Sequence, residues 1–314
     1  MFRPIRPARS RLGFGGNQAM ESQQVPAGED SWTDPVALVT ADVIERYRSE
    51  GVVHLRRALH PEWLRLLEMG LQRVLRDAGQ AKHLFYDGQP EQFIETVRNF
   101  EVTPEIQRLL YDSPIADMVS VLIGSERIWL YSDEFFVKGS GAGRTPWHQD
   151  LPYWPLAGDQ IASMWISLDP LPKEECLEYI PGSHRQVLYD GFNPRVVAQD
   201  PKAPFYGEEF PPLPDIEAER HRWNIVSWDI DPGDVILAHP AVLHGGGATG
   251  PAGKRRAITI RLYGEDIVYA SRPATRPTTP QTPGLSLQLK PGDPLRHPWY
   301  PRIRPRPPWQ EPGW

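Results

Sequence analysis

RRAITIRLYG, Arg255 to Gly264, writes out both faces of a strand at once. Successive side chains of an extended chain point to opposite sides. Arg256, Ile258, Ile260 and Leu262 therefore share one face, and Arg255, Ala257, Thr259 and Arg261 share the other. The first row is apolar and suits packing beneath helices, whereas the second suits a polar interior. QIASMWISLD (160–169) sorts in the same way, with Ala162, Met164, Ile166 and Leu168 outward and Ser163, Trp165 and Ser167 inward.

Working outward from these two segments, RIWLYSDEFFVKG, NIVSWDI and GDVILAH have the same texture: short, aromatic or β-branched, and bounded by Gly, Pro or Asp. They read as further antiparallel strands. The chain before them, from Leu38 to about Gly124, reads as helical. VTADVIERYRSEG offers Thr40 as an N-cap and Gly51 as a stop. HPEWLRLLEMGLQRVLRDAG follows, with Pro61 near its start and Gly79 at its end. Two shorter helices are expected near 90–98 and 113–122. Helices first and strands afterwards indicate one mainly β, α+β domain in which the helices cover a sheet face.

That domain is expected over residues 35–270, preceded by a flexible or surface-draped arm (1–34) and followed by a Pro-rich extended tail with aromatic anchors (271–314). Residues 186–224 form a long insertion with little periodicity and several prolines, the length of a lid or binding loop. The first 20 residues carry Arg3, Arg6, Arg9 and Arg11, yet Pro4 and Pro7 interrupt the amphipathic helix that a transit peptide needs.

The 314 residues carry a formal charge of −6, with 40% hydrophobic and 24% charged side chains. The balance argues against nucleic acid as partner, because phosphate binding draws on clustered Lys and Arg. The longest apolar runs, such as VILA at 235–238, are too short to cross a membrane. A small-molecule substrate is the expected partner. The lone cysteine, Cys176, excludes an intramolecular disulfide and fits a reducing compartment, so a cytoplasmic location is expected.

TPWHQD (145–150) places an imidazole and a carboxylate two positions apart, so that in an extended strand His148 and Asp150 project together. A third donor is available from His239 or His244 in DPGDVILAHPAVLHGGGATG, or from His184 in PGSHR. Two histidines and one carboxylate on one face leave three metal positions open, the arrangement of non-haem Fe(II) oxygenases. Arg255, 11 residues beyond His244, is placed to clamp a ligand carboxylate in bidentate fashion.

The sequence resembles the phytanoyl-CoA dioxygenase-like family of Fe(II)/2-oxoglutarate-dependent oxygenases. The resemblance rests on PWHQDLPYWPL (146–156), MWISLDPL (164–171), LEYIPGSH (177–184) and PGDVILAHPAVLHGGG leading to RRAIT (232–259), in the family's order, and spans residues 38 to 265. It implies a double-stranded β-helix, a jelly-roll or cupin-like barrel, with helices packed on the major sheet. It implies Fe(II) held by His148, Asp150 and His244, with Arg255 on the far carboxylate of 2-oxoglutarate and Trp165 lining the co-substrate pocket. Thr145 joins these two as a cofactor-binding candidate. The implied reaction consumes O2, with ascorbate as a supporting reductant, and releases succinate and CO2. Asp150 favours hydroxylation, since halogenating relatives carry a small residue there.

His239 and His184 are expected to serve structure rather than iron, and Trp147, Tyr153 and Trp154 to serve either packing or the substrate pocket. Two rivals use the same donors: a zinc-dependent hydrolase and a non-catalytic ligand-binding barrel.

Overall fold

The Thr40 hydroxyl accepts from the Val43 N–H at 3.3 Å and caps α1 (Ala41–Glu50), which ends at Gly51 in the left-handed region, φ +78°. In this computed structural model the chain is described over residues 34–76, 82–85, 90–192, 203–206, 210–251, 253–272 and 285–307. After α1 come β1 (Val52–Leu55), α2 (Pro61–Arg76), β2 (Lys82–Phe85), β3 (Phe93–Val97), α3 (Pro104–Asp112) and α4 (Ile115–Ile123). The β-rich part follows: β4 (Ile128–Lys138), β5 (Thr145–His148), β6 (Leu156–Ala157), β7 (Ile161–Ser167), β8 (Leu177–Ile180), β9 (Val235–Ala238), β10 (Leu243–Gly246), β11 (Arg255–Tyr263) and β12 (Val268–Tyr269). The short α5 (Leu285–Gln288) and β13 (Arg302–Arg304) close the described chain.

An eight-stranded sheet runs β1-β9-β7-β11-β4-β3-β2 with β13 also on β4, and a three-stranded sheet runs β5-β10-β8. The strand pairs are antiparallel. Trp165 and Ile236 of the large sheet share one buried cluster with Tyr179 next to β10 in the small sheet, so the two sheets face each other as a jelly-roll. The row Ile258, Ile260 and Leu262 packs with Leu67 and Leu71 of α2, Ile106 and Leu109 of α3 and Met118 of α4. Burial of each such side chain contributes about 1.5–3 kcal/mol. The helices therefore bind the outer face because β11 offers them an unbroken apolar row.

Two expectations need correction. Residues 93–97 form a strand and not a helix, because Phe93, Ile94, Thr96 and Val97 are aromatic or β-branched and the edge of β4 supplies ladder partners from Lys138 to Glu134. The helix start lies further on, at Thr103 and Pro104. NIVSWDI makes only isolated bridges, Tyr179 with Val226 and Leu171 with Ile230.

Within the Pro-rich segment, the described residues lie against the same unit. β13 pairs with β4, and Tyr300, 2% exposed, stacks on Tyr131 with ring centres 5.4 Å apart. The arm before Asp34 and the Gly79 stop lie outside the described residues.

Candidate active site

His148 and His244 are direct partners across the β5–β10 pair, with ring centres 4.2 Å apart. Asp150 lies just beyond β5. Its backbone is helical (φ −74°, ψ −36°) at the start of the 3-10 turn Leu151–Tyr153, and the N–H groups of Asp150 and Leu151 both donate to the Pro240 carbonyl at 2.8 and 3.0 Å. The carboxylate is thus aimed by this turn, and not by strand alternation as the spacing suggested. Gln149 points the other way. Its amide donates to Ala241 O at 2.7 Å and Val187 O at 3.2 Å, and its oxygen accepts from the Tyr189 N–H at 2.8 Å, stitching the turn to the β10 hairpin and the insertion.

One donor atom from each of His148, Asp150 and His244 lies within 4.8 Å of the others. Asp150 Oδ1 is 3.4 Å from His148 Nε2 and 4.0 Å from His244 Nε2. The opposite ring nitrogens are engaged: His148 Nδ1 reaches the Pro146 carbonyl at 2.8 Å and His244 Nδ1 the Val242 carbonyl at 3.0 Å. A carbonyl only accepts, so both rings carry hydrogen on Nδ1 and keep the Nε2 lone pair for the site. Burial, together with neighbouring His148, pushes the His244 imidazole down to about 4, which keeps it neutral and able to donate its lone pair. Burial opposes charge on Asp150, but Arg261 and the two imidazoles outweigh it and hold the carboxyl well below the usual range. Two converging imidazole Nε2 atoms and one ionised carboxylate fit a divalent metal.

Beside the triad lies a second feature. Arg255 is 5% exposed and Lys138 is 4% exposed, and the two are register partners on β11 and β4. Neither has an ion-pair partner among the described residues. Arg255 Nη1 donates to Glu175 O at 2.6 Å and to Gly247 O at 3.4 Å. Lys138 Nζ donates to Gly143 O at 2.8 Å and to Thr145 Oγ1 at 2.9 Å. Burial, then the charges of Arg255 and Arg144, push the lysine down to about 6. A Cβ placed on Gly246 would stand 3.3 Å from Thr145 Oγ1 and 3.4 Å from Arg255 Nη2, so glycine leaves open the space that these polar groups surround. A buried guanidinium and a buried amine that would regain its proton beside a negative charge suit a carboxylate.

Thr145 and Arg255 both reach the space beside Gly246, and Trp165 points into the same interior with Ala257 and Tyr179. Arg256 faces the helices, where it pairs with Glu68 of α2 at 2.7 Å and with Asp169 at 2.8 Å. His239 and His184 sit together away from the triad, ring centres 5.3 Å apart. His239 Nδ1 accepts from the Ala241 N–H at 3.1 Å, and His184 Nε2 meets Arg48 O at 3.1 Å. Trp147 turns to the insertion, where its indole N–H donates to Glu217 at 3.0 Å. Trp154 lies against Tyr131, 4.8 Å between rings. Tyr153 alone of the three aromatics borders His148, at 6.4 Å between ring centres.

Lys138 and Tyr179 escaped the sequence reading, and Arg261, placed on the inward row, was not assigned a place at the site. Tyr179 lies nearly parallel to His244, ring centres 5.8 Å apart. The signal for Lys138 was available, since alternation along β4 places it on the same face as Glu134 and Ser132, and a charge on an inward row is costly unless used.

Residues 47–257 match the family model described as phytanoyl-CoA dioxygenase (PhyH). A probable phytanoyl-CoA dioxygenase of Caenorhabditis elegans is 28% identical over 202 residues, covering 62% of this chain and 61% of that protein. The peroxisomal phytanoyl-CoA dioxygenase of Homo sapiens is 26% identical over 231 residues, covering 72% of this chain and 63% of that protein. The chain thus spans about three fifths of the length of these curated relatives. The solved structure of the non-heme alpha-ketoglutarate-dependent carbocyclase SnoK superposes with a TM-score of 0.64 at 21% identity, covering 85% of this chain and 98% of that one, a likeness of fold.

Proposed function

The chain belongs to the phytanoyl-CoA dioxygenase family, and we propose that it is a non-haem Fe(II)/2-oxoglutarate-dependent dioxygenase that hydroxylates an unactivated C–H of a small organic substrate. The observation that carries this reading is the juxtaposition of the His148, Asp150 and His244 donor set with Lys138 and Arg255, two buried basic side chains lacking any carboxylate partner among the described residues. A metal site next to a basic receptor for a carboxylate suits a dicarboxylic keto acid, one end at the metal and the other at the basic pair. A zinc hydrolase or a simple binding barrel gives no reason of its own for a carboxylate receptor beside three metal donors.

In this reading His148, Asp150 and His244 hold the Fe(II), and Arg255 takes the distal carboxylate of 2-oxoglutarate with Lys138 and Thr145 beside it. When bound, iron and keto acid supply the oxidising chemistry: O2 and 2-oxoglutarate yield succinate and CO2, and one oxygen atom goes to the substrate carbon. The chain's own part is to orient and to exclude water. Tyr179 and Trp165 wall the interior. Phe192 of the insertion packs edge-on to His148 at 5.1 Å, and the Tyr153 hydroxyl donates to its carbonyl at 2.9 Å. This contact supports the insertion as a lid.

The substrate class stays a small organic molecule, with ascorbate as a supporting reductant. No described helix is long and apolar enough to cross a membrane. The cytoplasmic location expected from the lone Cys176 is part of the proposal, beside human, rat, mouse and bovine relatives named as peroxisomal.

Anaerobic addition of Fe(II) and 2-oxoglutarate should produce a visible charge-transfer band, and a substrate panel should reveal O2-dependent succinate release. Absence of both, with Zn(II)-dependent hydrolysis of ester or amide probes instead, overturns the reading.

A further inference from the structure

One buried guanidinium outside the proposed metal-ligand set touches it. We propose that Arg261 is a positioning residue that fixes the orientation of Asp150, so that its carboxylate is offered to the metal through a single oxygen. The inference rests on the metal reading above and adds to it how that carboxylate is held.

The two oxygens of Asp150 face different neighbours. Oδ1 looks toward His148 Nε2 at 3.4 Å and His244 Nε2 at 4.0 Å, while Oδ2 lies 3.5 Å from Arg261 Nη2. The guanidinium beside Oδ2 is held from its other side. Its Nη1 is 2.6 Å from Glu134 Oε2 and donates to Ser132 Oγ at 3.2 Å, and its carbon stands 5.0 Å over the Trp154 ring. Arg261 is 6% exposed, so these contacts act without water to screen them. β4 supplies Ser132 and Glu134, and the turn after β5 supplies Trp154 and Asp150. The arginine thereby locks the carboxylate's turn to the large sheet.

A carboxylate that rotates freely can close on a divalent ion through both oxygens and occupy one more coordination position. An oxygen already engaged by a fixed cation is a poorer second donor. Keeping Asp150 to one oxygen preserves the open positions that a two-histidine, one-carboxylate site offers to further ligands. Were Arg261 no more than a counter-ion for Glu134, its contact with Asp150 would be dispensable.

The experiment uses the full chain loaded with Co(II), whose visible d–d bands report coordination number and geometry. Wild type should bind Co(II) and His148→Ala should not; a wild type that binds no Co(II) overturns the metal reading and this proposal together. Arg261→Gln should weaken Co(II) binding about 10–100-fold, the usual effect of removing a partner of a metal ligand, and alter the bands, with Arg261→Lys restoring part of both. The double variant Arg261→Met/Glu134→Met removes the buried pair together, a change that folds well in many proteins. It should keep the weakened affinity and altered bands, because Asp150 still lacks its partner. Wild-type affinity and spectrum in the double variant, or in a folded Arg261→Gln, overturn the proposal.

Discussion

Lys138 and Arg255 stand opposite each other on adjacent strands β4 and β11, both buried and neither ion-paired among the described residues. The lysine feels burial first and the arginine second, and its ammonium is pushed down to about 6. The unfolded lysine, near 10.4, then binds more protons than the folded one between about pH 6 and pH 10. Stability of the protein without co-substrate should therefore rise with pH across that window. Binding of 2-oxoglutarate beside it, as proposed, should favour the charged lysine and take up a proton. Its affinity should fall as pH rises above about 6, by up to tenfold per unit where one proton is linked. Calorimetry in buffers of different ionisation heat measures that uptake. Lys138→Met should lose the pH dependence along with at least tenfold in affinity; unchanged proton uptake in the variant would show that another group titrates.

The two consecutive arginines separate by strand face. Losing a buried carboxylate partner costs about 2–5 kcal/mol, so Arg255→Ala should weaken 2-oxoglutarate by at least tenfold. Arg256→Ala should leave that affinity within about twofold. Its cost falls on stability instead, on the order of 1 kcal/mol from a partly exposed network with Glu68 and Asp169. Anaerobic Kd measurements and thermal melts of both variants check this, and the opposite assignment of affinity and stability would contradict the observed register.

The third ligand is decided between two histidines. His148→Ala, Asp150→Ala and His244→Ala should each abolish oxidation and metal binding with the fold retained, whereas His239→Ala should retain the metal. Its effect is a loss of stability, since its ring sits buried between His184 and the Ala241 N–H. Metal titration by each variant reports the result; a metal-free His239→Ala beside a metal-binding His244→Ala would reverse the assignment.

The contact between the insertion and Tyr153 rests on a glycine. A Cβ on Gly191 would stand 2.0 Å from the Tyr153 hydroxyl oxygen, closer than any packing allows. Gly191→Ala should push the insertion, with Phe192, off Tyr153 and His148 and admit water to the site. Succinate formed without product should rise several-fold relative to wild type. Tyr153→Phe, which loses only the 2.9 Å bond to Phe192 O, should show a smaller rise. Unchanged coupling in Gly191→Ala would remove the lid reading.

Alternation alone made much of this protein legible. RRAITIRLYG sorted its residues correctly because strand period is two and because one face meets helices and the other a polar interior. The caps of α1 were readable from Thr40 and Gly51, since capping is local chemistry. Residues 93–97 were misread because a short segment with mixed pattern takes its form from a partner, here the edge of β4.

The site divides along the same line. Sequence spacing placed His148, Asp150 and Arg255 as candidates and left the third donor to three histidines, between which no local rule chooses; the family resemblance pointed to His244. The β5–β10 register sets His244 directly opposite His148 and leaves His239 against His184, a matter of which strands pair and not of which residues are present. The charges that surround these donors were hidden for the same reason. Lys138 meets Arg255, and Arg261 reaches Asp150, across strands or turns remote in the chain. What the sequence determined was the periodicity and the stock of donors; what the tertiary structure decided was which buried charges face one another, because electrostatic neighbours are set by distance in space and desolvation by the packing around them.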